Sequence, residues 1–202
     1  MNKEFSTPIA SWATATSAPP WLRTAAVILG GSALLALCAH LALPLWFTPV
    51  PLTVQPFAVL LLGLLLTPRM AATTLCAYLA EGALGLPVFA PTSASGLAHL
   101  LGPTGGYLMA YPMAAVLISF LWRSSRGRFS TALATALLGD LVILGCGALW
   151  LALFTHTPAR TVLALSVFPF LPGDAIKIAL AAALASGIQR LRPRGSSPRL
   201  TS

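Results

Sequence analysis

The chain has 202 residues, of which 57% are hydrophobic and 8% charged, with a formal net charge of +8 and a mean hydropathy of +0.85. A soluble domain carries about 25% charged residues, so an ordinary soluble fold and intrinsic disorder are both excluded. The basic residues fall in short connectors between apolar stretches, which argues against a nucleic-acid partner and for a polytopic protein in a lipid bilayer.

Residues 1–20 are rich in Ser, Thr, Ala and Pro and hold no apolar core. They read as a loose cytoplasmic tail, not as a cleaved signal peptide. Six apolar stretches follow, at 21–43, 54–67, 70–84, 105–122, 131–154 and 171–188. A helix needs about 20 residues to cross the hydrocarbon. The first and fifth stretches exceed this, whereas the second and third are short and are separated by Pro68 and Arg69, the mark of a tight hairpin. The expected fold is therefore all-α, a polytopic membrane protein of six transmembrane helices over residues 21–190, with a basic cytoplasmic tail at 191–202.

Orientation follows from the basic connectors. With an inside N-terminus, Lys3, Arg23, Arg69, Arg123, Arg126, Arg128, Arg190, Arg192, Arg194 and Arg199 fall on one side and Arg160 alone on the other, Lys177 lying within the last span. Both termini are expected to be cytoplasmic. Trp21 and Trp122 then fall near the inner interface and Trp46 and Trp150 near the outer one, where amphipathic rings prefer to sit. The outer connectors at 44–53, 85–103 and 155–170 are long, nearly uncharged and rich in Pro and Gly. Such loops are expected to fold back over the helices as a lid. Cys38, Cys76 and Cys146 show no metal or redox spacing and read as small packing residues.

Three acidic residues and one Lys fall within the spans: Glu81, Asp174 and Lys177 near the outer ends of theirs, and Asp140 further in. A charge in the hydrocarbon is costly unless paired or hydrated, so each requires a reason. Asp174 and Lys177 are three apart and share a helix face. The Pro172, Gly173, Asp174 run also suits a helix start, but a cap does not require Lys177 to face inward. The pair points to the polar floor of an outward-facing cavity. Asp140 lies near mid-membrane and suits either the same floor or a bond between helices. His40 and His99 lack partners at metal spacing.

Three segments then carry a resemblance: PVPLTVQ at 49–55; YLAEGALGLPVF at 78–89 followed by LGPTGGY at 101–107; and PFLPGDAIK at 169–177. In order and spacing they resemble the BioY family, the biotin-specific S components of energy-coupling factor transporters. The resemblance implies a six-helix bundle that captures biotin outside and passes it inward with a transmembrane coupling protein and two ATPase subunits. The chain itself holds no Walker A motif, so no cofactor is expected here and ATP hydrolysis belongs to the partners. The resemblance implies a binding site of Asp174 and Lys177 with Glu81, Tyr107, Phe89, Thr53, Gln55 and Gly105. Asp174 would accept from the ureido N–H groups of biotin, and Lys177 would donate to the ureido oxygen or pair with the valerate. Phe89, Tyr107 and Phe170 would pack on the rings and tail, and Thr53 and Gln55 would close over the ligand. Small residues four apart, Ala26 with Gly30 and Ser32 with Ala36, would form the face of the first helix that docks the coupling protein.

Two other readings compete. A biotin or other vitamin transporter working alone or as a homo-oligomer, without ATPases, would look the same in this chain. An intramembrane aspartyl protease is suggested by Gly139-Asp140 and Gly173-Asp174, but the upstream glycine of its motif is replaced by Leu137 and Leu171, and the two acids are expected at different depths.

Overall fold

The computed structural model describes residues 19–91, 95–124 and 128–191. The two tails assigned to 1–20 and 191–202 lie almost wholly outside the described residues.

In chain order the elements are α1 (Pro20–His40), β1 (Ala42–Leu43), β2 (Leu52–Thr53), α2 (Gln55–Leu65), α3 (Pro68–Ala83), α4 (Leu97–Leu100), α5 (Gly105–Arg123), α6 (Phe129–Thr155), α7 (Ala159–Ser166) and α8 (Leu171–Leu191). Four of these, α1, α5, α6 and α8, are long and apolar enough to cross a membrane, and α2 is a shorter apolar helix of 11 residues. The expectation of six spans is thus met by six principal helices in the expected places but by only four of full spanning length. The fold is all-α as expected, with one small ladder in the first long connector: β1 and β2 pair antiparallel, Ala42 opposite Thr53 and Leu43 opposite Leu52. This ladder ties the first long connector back to its own ends.

The α2–α3 hairpin forms as its sequence requires. Thr67 caps α3 by accepting from the Met70 N–H at 3.3 Å, and Pro68 occupies the first turn, where its missing N–H costs nothing. α5 lies at the centre, packed against α2, α3 and most extensively α6, while α8 fills the space between α2 and α6 and α1 lies against α2 and α3. The buried cluster to which α6 and α8 contribute draws mostly small residues from them, Ala132, Ala136, Ala181, Ala182 and Ala185, beside Ile178. Small side chains let helix backbones approach closely where lipid supplies no hydrophobic driving force.

The connections place α1's end, α2's start, α3's end, α5's start, α6's end and α8's start at one end of the bundle. The long connectors lie there, and α4 and α7 are folded within them. The opposite end carries Arg69, Arg123, Arg128 and Arg190. The outward surface is greasy, as a bilayer demands: Leu29, Leu37, Phe120, Leu149, Leu153, Ile176 and Leu180 are all exposed. Trp46 is 95% exposed and Trp21 70%, whereas Trp122, beside Arg123 at the end of α5, is 5% exposed and packs against the bundle. The Trp150 Nε1–H donates to the Gly102 carbonyl at 2.8 Å, so this ring fastens a loop. Cys38 is buried, while Cys76 is exposed and is not a core packing residue.

Candidate functional site

A cavity opens at the connector end, with about 570 Å³ of free space including its mouth. The enclosed part of that space is about 60 Å³. Its walls come from the first connector (Val50, Pro51, Thr53), from α2 (Gln55), from the loop around α4 (Ala90, His99) and from α5, α6 and α8. The expected fold-back of uncharged connectors is borne out by these residues.

α8 supplies the polar floor. Asp174 and Lys177 lie three apart in its first turns, and Lys177 Nζ donates to Asp174 Oδ1 at 2.8 Å. Asp174 is 3% exposed. A pair this close, with Asp174 buried and Lys177 largely so, is held by charge-assisted bonding. The residue does not act as an N-cap: its own N–H donates to the Phe170 carbonyl at 2.9 Å, inside the helix.

α5 supplies the aromatic wall. Thr104, Tyr107, Leu108 and Tyr111 face the cavity together, the spacing of one helix face. The Tyr107 hydroxyl donates to the Ser166 carbonyl at 3.0 Å, tying α5 to the end of α7. Gly147 of α6 makes room for that ring, which a Cβ at 147 would strike. On the other side, the Gln55 amide donates to the Tyr78 hydroxyl at 2.9 Å, and Tyr78 donates to the Val88 carbonyl at 2.8 Å. This chain braces the start of α2 against α3 and the following loop.

Of the residues expected at the site, Asp174, Lys177, Tyr107, Thr53 and Gln55 line the cavity, and so does Phe170. Phe89 and Gly105 stand one layer back. Phe89 packs edge-on against Tyr78, with centroids 5.4 Å apart, and against His99 at 5.0 Å. Gly105 is required because the Leu100 carbonyl occupies the place of a Cβ. Glu81 is outside the cavity: it accepts from the Ser32 hydroxyl across the α1–α3 interface and borders an outer groove with Ala33, Ala36 and His40. That bond also corrects the docking face. Ser32 is 2% exposed and turned into the bundle, whereas Ala26 and Gly30 are exposed and Ala36 is half-buried.

The structure adds Val50, His99, Thr104, Tyr111, Asp140, Ile143 and Leu144 to the lining. Asp140, Ile143 and Leu144 repeat at i, i+3 and i+4, so the helical period marks this face once Asp140 is accepted as inward. His99 carries no such signal, because its position depends on how the loop folds. Asp140, midway along α6, and Asp174, in the first turn of α8, line the same cavity. Asp174 pairs with Lys177, not with Asp140.

An apolar helical bundle with a lidded cavity floored by a buried ion pair is a membrane-embedded small-molecule binding protein. The profile of the BioY family matches residues 4–194. A probable biotin transporter of Pyrococcus horikoshii is 42% identical over 141 residues, covering 70% of this chain and 82% of its own. The biotin transporter of Thermotoga maritima is 33% identical over 160 residues, covering 79% and 92%. The crystal structure of the S component for biotin from an ECF-type ABC transporter superposes with a TM-score of 0.77 at 29% identity, covering 84% of this chain and 92% of that one. The chain belongs to the BioY family, whose members are transporter components and not enzymes.

Proposed function

We propose that the protein captures biotin at the membrane as the substrate-binding S component of an energy-coupling factor transporter. The observation that carries the reading is the buried Asp174–Lys177 pair on the floor of a largely apolar, lidded cavity. Biotin is an apolar bicycle and chain with a urea at one end and a carboxylate at the other. The cavity offers the matching surfaces: Phe170, Tyr107, Ile143 and Leu144 for the rings and chain, and Asp174 and Lys177 for the polar head. The biotin transporters and the biotin S component to which the chain is similar support the same ligand.

In this reading all six principal helices are membrane-embedded, with α2 and α3 short because the folded connectors complete that side of the bundle. The arginine-bearing end faces the cytoplasm, in the inner membrane of a prokaryote. A coupling protein meets the exposed Ala26–Gly30 side of α1, and two ATPase subunits supply the energy.

Equilibrium binding of labelled biotin to the purified protein in detergent tests the substrate, with thiamine and riboflavin as competitors. Saturable binding at nanomolar to micromolar biotin, displaced by neither competitor, is the expected result. Folded protein that binds no biotin would retain the fold and remove the substrate.

A further inference from the structure

Asp140 is a buried acid with an unmet hydrogen-bonding capacity. It lies on α6 in the same face as Ile143 and Leu144 and lines the cavity with them. The residue is 2% exposed, and its Oδ1 is buried without a hydrogen-bond partner. Two other buried side-chain atoms lack partners among the described residues, Thr74 Oγ1 and Ser186 Oγ, but neither residue lines the cavity. An unpaired buried carboxylate oxygen destabilises the protein that carries it, so Asp140 is a poor structural choice for the empty cavity.

The charges of the cavity sharpen the point. Lys177 is bonded to Asp174, leaving one ammonium for two carboxylates, with Asp140 the unmatched one. A ligand that completes this arrangement brings N–H donors to the α6 wall, not further acceptors. The cyclic urea of biotin has two N–H bonds that diverge on either side of its carbonyl. One carboxylate cannot reach both, so a site that satisfies the urea needs two separate acceptors. Resting on the biotin reading above, we propose that Asp140 is the second acceptor of the site, taking one ureido N–H while Asp174, steadied by Lys177, takes the other. Asp140 thereby selects for a ring with two N–H groups.

The test replaces Asp140→Leu, close in size and without an acceptor, and measures biotin affinity and the thermal midpoint of the ligand-free protein in detergent. The expected result is a midpoint equal to or above that of the parent, with biotin binding weakened about tenfold or more, as when one buried partner of a charged hydrogen bond is removed. Unchanged affinity overturns the proposal, and so does a lowered midpoint with normal binding by the folded fraction, which is the signature of a structural bond. Should Asp140→Leu fail to fold, the parent protein decides with biotin methylated at one or the other ureido nitrogen. Both analogues are expected to bind at least tenfold more weakly than biotin. Either one binding as tightly as biotin shows an N–H without an acceptor and overturns the assignment. A parent that binds no biotin at all sinks the substrate reading itself, an outcome distinct from any of these.

Discussion

Asp174 and Lys177 sit three residues apart on α8 and hold each other at 2.8 Å in a buried site. Each restrains the other's rotamers, so in the proposed site the pair would offer a fixed acceptor and a fixed donor. Asp174→Asn keeps the shape but removes the negative charge that holds Lys177. Lys177→Ala leaves a buried carboxylate with no counter-charge, which costs on the order of 3 kcal/mol. Both variants are expected to weaken biotin binding more than about tenfold, and Lys177→Ala is expected to lower the thermal midpoint as well. Titration of both variants beside the parent checks this, and parental affinity in both would remove the pair from the site. This pair was legible in the sequence because a charge inside an apolar stretch is conspicuous and a spacing of three fixes a shared helix face. Glu81 was equally conspicuous, yet its carboxylate meets Ser32 and not the cavity. A single acid in a helix announces that it needs a partner, but the partner's place depends on which neighbour lies across the helix. Phe89 and Gly105 failed for a related reason: both are required for packing next to the site, and a motif does not distinguish the lining from the layer that supports it.

At the scale of elements, the helices were legible and their faces less so. Pro68 and the Thr67 cap mark the α2–α3 boundary in the sequence alone. The pairing of β1 with β2 was not legible, because two residues in each strand give no alternation to read. The faces of α1 show what packing adds. Its small residues at 26, 30, 32 and 36 do not form one stripe: Gly31, Ser32 and Leu35 are buried against the bundle, while Ala26 and Gly30 point away. An added side chain at Gly30 meets nothing within 4 Å, so a large residue is accommodated without disturbing the cavity. Gly30→Trp is therefore expected to bind biotin with parental affinity and to lose co-purification with the coupling protein when the two are co-expressed. Co-purification that survives the tryptophan would move the docking surface to another face of the bundle.

At the scale of the whole molecule, the bundle is polarised. One end gathers the long uncharged connectors, α4, α7 and the cavity mouth, and the other gathers Arg69, Arg123, Arg128 and Arg190. Lys and Arg near span ends favour the cytoplasmic side, so the charge pattern and the position of the cavity are coupled: if the arginines are inside, the mouth faces outward, as capture requires. The bias rests on Lys and Arg alone, because Asp and Glu contribute little to orientation. Labelling with a membrane-impermeant maleimide in intact cells reads this directly. Cys38, Cys76 and Cys146 are first replaced by Ala or Ser, and single cysteines are placed at two exposed positions, Ser124→Cys at the arginine end and Ala159→Cys at the start of α7. Ala159→Cys is expected to react in intact cells, and Ser124→Cys only after permeabilisation. The reverse pattern would turn the cavity mouth toward the cytoplasm, where it would serve release of a ligand and not its capture.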